Sequence, residues 1–103
     1  MLFGVDIGNT NVVAAVFDGE KIIRQWRIAS DIRRTGDEYT SVLLTLARDA
    51  GLNLDKIGKS IISSVVPDLT GPFITVAQNL TKTKPYVITS ELAKSGKLPV
   101  GLL

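Results

Sequence analysis

The chain has 103 residues, 45% apolar and 21% charged, which is enough for one small packed core and too little for two. Lys and Arg number 12 against 10 Asp and Glu, and Arg33-Arg34 is the only adjacent basic pair, so the charge pattern is not that of a nucleic-acid binder. With no Cys and no His, a disulfide framework, a thiolate metal site and an imidazole base are all excluded, and any proton transfer falls to a carboxylate or a lysine.

The first residues, Met1-Leu2-Phe3-Gly4-Val5-Asp6, lack the basic start and apolar stretch of a secretory signal. No apolar run approaches the roughly 20 residues that cross a bilayer. The expectation is a cytoplasmic protein without a membrane or nucleic-acid partner. Residues 2–7 form an apolar run ending at Asp6 and predict a buried strand; residues 12–17 (VVAAVF) are too valine-rich and too short to prefer a helix. Asp18-Gly19 is the chemistry of a tight hairpin, and residues 21–28 (KIIRQWRI) predict a third strand, giving an antiparallel meander.

Thr35 and Glu38 form a capping box, so a helix starts there. Tyr39, Val42, Leu43, Leu46, Ala47 and Ala50 recur at three- and four-residue spacing, and Gly51 supplies a left-handed exit. Residues 60–66 (SIISSVV) predict a fourth strand. Pro67, Gly71 and Pro72 crowd the start of a second helix, with Pro72 in its first turn and Phe73, Val76, Ala77 and Leu80 on its apolar face. Residues 85–89 (PYVIT) predict a fifth strand, and Ser90 to Leu103 show no clear periodicity. The order β-β-β-α-β-α-β predicts an α/β fold with a mixed five-stranded sheet, and resembles one lobe of the ribonuclease-H-like, actin-like ATPase fold.

The stretch most informative about chemistry is Asp6-Ile7-Gly8-Asn9-Thr10-Asn11. A carboxylate at the end of a buried strand can hold Mg²⁺ through water, and the glycine and short neutral donors that follow suit the oxygens of a metal-bound polyphosphate. The same residues also serve a plain hairpin whose asparagines close the turn. No Walker loop or dinucleotide glycine fingerprint is present. Trp26 and Tyr39 read as packing residues on their strand and helix, Arg33 and Arg34 as a solvated loop, and Asp37 and Glu38 as partners of the helix dipole. Ser63 and Ser64 end the fourth strand near the expected cleft and are open to a functional or a structural reading.

Residues 6–11, with Trp26-Arg27-Ile28, Arg34-Thr35, Asp37-Glu38-Tyr39 and Ser63-Ser64-Val65-Val66-Pro67, resemble in order and spacing the type III pantothenate kinases. The resemblance covers residues 3 to about 90. It implies phosphoryl transfer from ATP to pantothenate, the first committed step of coenzyme A synthesis, with Mg²⁺ at Asp6, nucleotide contacts along residues 6–11, and a monovalent cation (K⁺ or NH₄⁺). The family's pantothenate site and general base lie in a later glycine-alanine-aspartate-arginine motif that residues 1–103 do not contain. The expectation is therefore an N-terminal nucleotide-binding lobe without the second lobe or a catalytic base, inactive by itself. The expected partner is a second copy of the chain, as a homodimer. The alternatives are a noncatalytic relative resembling accessory transcription factors of the same fold, and a self-associating half-domain.

Overall fold

Two tight turns fold the N-terminal segment into an antiparallel meander in the computed structural model, which describes residues 1–89. The lack of periodicity expected beyond Ser90 lies outside the described residues. Strands β1 (Leu2–Ile7), β2 (Asn11–Asp18) and β3 (Lys21–Ala29) follow the sequence reading to within a residue at each end. Helix α1 (Gly36–Asp49), strand β4 (Lys59–Ser64), helix α2 (Pro67–Thr81) and strand β5 (Tyr86–Thr89) complete the order, with a short 3-10 turn at Leu54–Lys56 before β4.

The sheet runs β3-β2-β1-β4-β5. β1 and β2 pair antiparallel, as do β2 and β3, whereas β4 lies parallel to β1 and β5 parallel to β4. The predicted mixed sheet is therefore the one observed. A register shift between Val16 and Phe17 adds one residue on β3, as in a β-bulge.

Alternation decides which face is buried. Phe3, Val5 and Ile7 of β1, Val12, Ala14 and Val16 of β2, and Ile62 of β4 project to one face, where α1 and α2 cover them. Tyr39, Leu43 and Ala47 are the buried positions of α1, and the Tyr39 ring meets Phe73 of α2 at 4.5 Å between centroids. Gly4, Asp6, Val13, Ala15 and Phe17 lie on the other face and line a shallow trough with Ile61 and Ser63.

The ends of α1 behave as expected. Thr35 accepts from the Glu38 N–H, and the Glu38 carboxylate accepts from the Thr35 N–H. At the other end Gly51, with φ of 74°, closes a Schellman motif: Leu52 N–H donates to the Ala47 carbonyl and Gly51 N–H to that of Arg48.

Helix α2 corrects the sequence reading. It begins at Pro67, not beside Pro72, so Pro67 is the first-turn proline and Pro72 lies inside the helix. The sequence shows two prolines five apart, either of which fits a helix start. Two features favour the earlier one. Leu69 becomes a fully buried residue of the helix, and the Ser64 and Thr70 hydroxyls tie the entry to the end of β4. Gly71, without a Cβ, spares the helix the clash that a larger residue makes with a following proline ring. β4 is correspondingly shorter than expected, ending at Ser64 because Val65 and Val66 lead into the helix.

No helix among the described residues is long and apolar enough to cross a membrane.

Candidate functional site

The parallel strands β1, β4 and β5 all end at the same edge of the sheet, and β2 starts there. β1 pairs with β2 on one side and with β4 on the other, so the chain direction switches across its carboxyl end. Open α/β sheets bind ligands at such a point. Val65 N–H donates to the Ile7 carbonyl at 3.1 Å, extending the β1–β4 ladder by one bond and keeping the two strand ends level.

Asp6 is the penultimate residue of β1, is exposed, and is paired in register with Val13 and Ser63. Its carboxylate has no hydrogen bond or ion pair among the described residues. No group of three or more His, Cys, Asp or Glu is gathered among them either. A lone carboxylate at a strand end does not make an all-protein metal cage. It does suit Mg²⁺, which keeps most of its waters and takes further ligands from substrate phosphates.

The turn after β1 is tight. Gly8 N–H donates to the Asn11 carbonyl at 2.9 Å, and a Cβ on Gly8 would sit 3.1 Å from that same oxygen. Asn9 and Thr10 at its tip are exposed and Asn11 is half-buried, so their side-chain amides and hydroxyl are accessible at the sheet edge. Ile7 differs from its neighbours: its side chain is fully buried in the core and its carbonyl is taken by Val65. Of the six residues 6–11, Asp6, Asn9, Thr10 and Asn11 present polar side chains to the edge, while Gly8, with its N–H and carbonyl both bonded, and Ile7 contribute by placing them.

The two serines at the end of β4 separate. Ser63 is exposed on the face that carries Asp6. Ser64 is buried; its hydroxyl accepts from Val66 N–H and Thr70 Oγ1 and donates to the Val66 carbonyl, which fixes the entry into α2. Ser64 is thus structural. Arg33 and Arg34 have partners outside the turn. Arg33 pairs with Asp31 at 3.1 Å, a hydrogen-bonded contact that lowers the Asp31 pKa, and the Arg34 guanidinium lies 5.8 Å from the centre of the Tyr39 ring.

Two residues near the turn escape sequence reasoning. Ser30 donates to the Gly8 carbonyl from its hydroxyl and to the Thr10 carbonyl from its N–H. Tyr39, expected only as core, also uses its hydroxyl on Ala29 and Asp31. Nothing at positions 30 and 39 signals this, because the Ser30 contacts depend on how β2 and β3 are brought together and the Tyr39 contacts on where α1 packs against the end of β3.

Comparison with known proteins identifies the family and the fold. Residues 2–101 match the family model described as type III pantothenate kinase. A protein named type III pantothenate kinase from Geobacter sulfurreducens is 46% identical over 88 residues, covering 85% of this chain and 34% of that protein. One of the same name from Dehalococcoides mccartyi is 41% identical over 95 residues, covering 92% and 36%. The chain spans about a third of the length of the curated relatives it matches. Among solved structures, the ROK hexokinase of Thermus thermophilus superposes with a TM-score of 0.62 at 14% identity, over 85% of this chain and 34% of that one. The fold is that of an actin-like kinase lobe.

Proposed function

Because the chain belongs to the type III pantothenate kinase family, we propose that it is the N-terminal, nucleotide-phosphate-binding lobe of an enzyme that moves a phosphoryl group from ATP to the primary hydroxyl of pantothenate. The observation that carries this reading is the placement of Asp6. An exposed carboxylate without a partner among the described residues stands one residue before the end of the central strand, a turn of short neutral donors follows, and both stand where the sheet's connections switch direction.

Such a transfer asks the protein mainly for position and charge neutralisation. The Asp6 carboxylate would hold Mg²⁺, and Asn9, Thr10 and Asn11 would donate to phosphate oxygens. Neutral donors fit there, because a metal ion already offsets much of the phosphate charge. When bound, Mg²⁺ supplies the electrostatic stabilisation of the charge on the phosphoryl group in transfer. No donor set for the monovalent cation stands out among the described residues.

The register partners of Asp6 are Val13 and Ser63, neither of which can serve as a base at neutral pH. The base that deprotonates pantothenate is assigned to the family's glycine-alanine-aspartate-arginine motif, which residues 1–103 do not contain, and the 103-residue chain alone is expected to be inactive. A cytoplasmic homodimer is part of the same proposal.

The test is ATP-dependent formation of phosphopantothenate by the full-length protein. Turnover that is lost in Asp6→Asn supports the reading. Full-length protein that binds Mg-ATP and leaves pantothenate unchanged would favour a noncatalytic relative of the family, and turnover by the 103-residue chain would show that the base had been misplaced.

A further inference from the structure

The turn after Asp6 is held from behind by one residue. Ser30, the first residue after β3, donates its hydroxyl to the Gly8 carbonyl at 2.6 Å and its N–H to the Thr10 carbonyl at 2.9 Å. A trans peptide is planar, with its C=O and N–H on opposite sides. Drawing the Gly8 carbonyl toward Ser30 therefore turns the Asn9 N–H away from it, and drawing the Thr10 carbonyl does the same to the Asn11 N–H. Without those bonds either peptide is free to rotate and present its carbonyl oxygen, which repels a phosphate oxygen.

Ser30 is itself fixed on both sides. The Tyr39 hydroxyl accepts from the Asp31 N–H at 2.9 Å and donates to the Ala29 carbonyl at 3.0 Å. Tyr39 is fully buried in α1, with its ring against Phe73. A continuous path of bonds thus leads from the packed core between the helices to the peptides of the turn.

We propose that Ser30 is a positioning residue for phosphate binding: its hydroxyl sets the orientation of the Gly8–Asn9 peptide, and Tyr39 holds Ser30 in place to do so. The proposal rests on the reading of residues 6–11 as the phosphate turn, so its test must fail separately from that reading.

The full-length protein is compared with Ser30→Ala, Ser30→Thr, Tyr39→Phe and Asp6→Asn. Affinity for Mg-ATP is measured by calorimetry without pantothenate, the KM of each substrate by steady-state kinetics, and Tm by thermal unfolding. Ser30→Ala is expected to weaken Mg-ATP binding about three- to tenfold, the effect of one hydrogen bond, and to raise the KM for ATP to match. The KM for pantothenate and the Tm stay near wild type. Ser30→Thr keeps the hydroxyl and recovers most of the affinity. Tyr39→Phe fills the same space in the core and gives an ATP-specific loss of the same direction, which decides the matter should Ser30→Ala fail to fold.

Wild-type ATP affinity in Ser30→Ala alongside lost affinity in Asp6→Asn overturns the role of Ser30 and leaves the phosphate turn standing. A drop in Tm with both KM values changed together makes Ser30 merely structural and also overturns the proposal. Wild-type affinity in both Ser30→Ala and Asp6→Asn removes the phosphate turn itself.

Discussion

Replacing Gly36 by alanine sets two effects of known size against each other. Gly36 opens α1, where helix propensity alone favours alanine by at most about 1 kcal/mol. A Cβ there would lie 2.9 Å from the Pro72 carbonyl oxygen and 3.0 Å from the Thr75 Cβ, both on α2. The oxygen belongs to backbone, so it cannot swing aside, and neither helix is loosely held. α1 is fixed by the Thr35–Glu38 capping box and by Tyr39 against Phe73, and α2 by the Ser64–Thr70 bond. Overpacking of this kind costs about 1–3 kcal/mol, so the steric term wins and the variant should lose about 1–2 kcal/mol. Urea unfolding reads this as a lower midpoint at an unchanged slope. Gly58→Ala is the control: nothing lies within 4 Å of a Cβ there and its φ is not positive. It should gain about 0.4–1 kcal/mol through the unfolded chain. A Gly36→Ala protein as stable as wild type would mean that the two helices separate at little cost, contrary to the packing described.

Pro72→Ala restores an N–H able to reach the Asp68 carbonyl inside α2. An interior proline costs about 3 kcal/mol relative to alanine and recovers up to about 1 kcal/mol by restricting the unfolded chain, so a gain of about 1–2 kcal/mol is expected in the same urea assay. A loss would show that the ring is needed for packing. Asp31 titrates below its ordinary value of 3.8 because the Arg33 side chain, then the Arg33 N–H, hydrogen-bond its carboxylate. With the folded value depressed, its contribution is present above about pH 3.8 and fades as pH falls through the folded value. Carbon-detected NMR titration should therefore give a midpoint under 3.8 that rises in Arg33→Ala, and a midpoint at or above 3.8 in the unmodified protein would contradict the pairing.

The parts of the fold legible in the sequence were those set by local chemistry. Asp18-Gly19 marks a hairpin, Thr35 with Glu38 a helix start and Gly51 a helix end, and each is where the structure has it. The apolar stripe from Tyr39 to Ala50 faces the core because helical periodicity leaves it no other place. Helix α2 was misread for a local reason too: Pro67 and Pro72 both suit a first turn, and the burial of Leu69 and the Ser64–Thr70 hydroxyl bond, which separate them, appear only in the folded chain. At the candidate site, Asp6 and the turn residues stand out as types in a row. Ser30 does not, because its bond to Gly8 spans 22 positions and exists only once β3 lies beside β2. The different fates of Ser63 and Ser64 follow from strand alternation, which the run SIISSVV fixes only after the register with β1 is known.

Asp6 is the residue proposed to anchor metal-bound phosphate. Asp6→Asn in the full-length protein, with pantothenate turnover and Tm measured together across a range of Mg²⁺ concentrations, tests it most directly. The carboxylate is exposed and has no partner among the described residues, so the near-isosteric amide should leave Tm close to wild type. Losing the anionic anchor should cost a large part of the rate, partly recovered at high Mg²⁺. Wild-type turnover in Asp6→Asn would contradict the account and leave Asp6 an ordinary residue at the end of a strand.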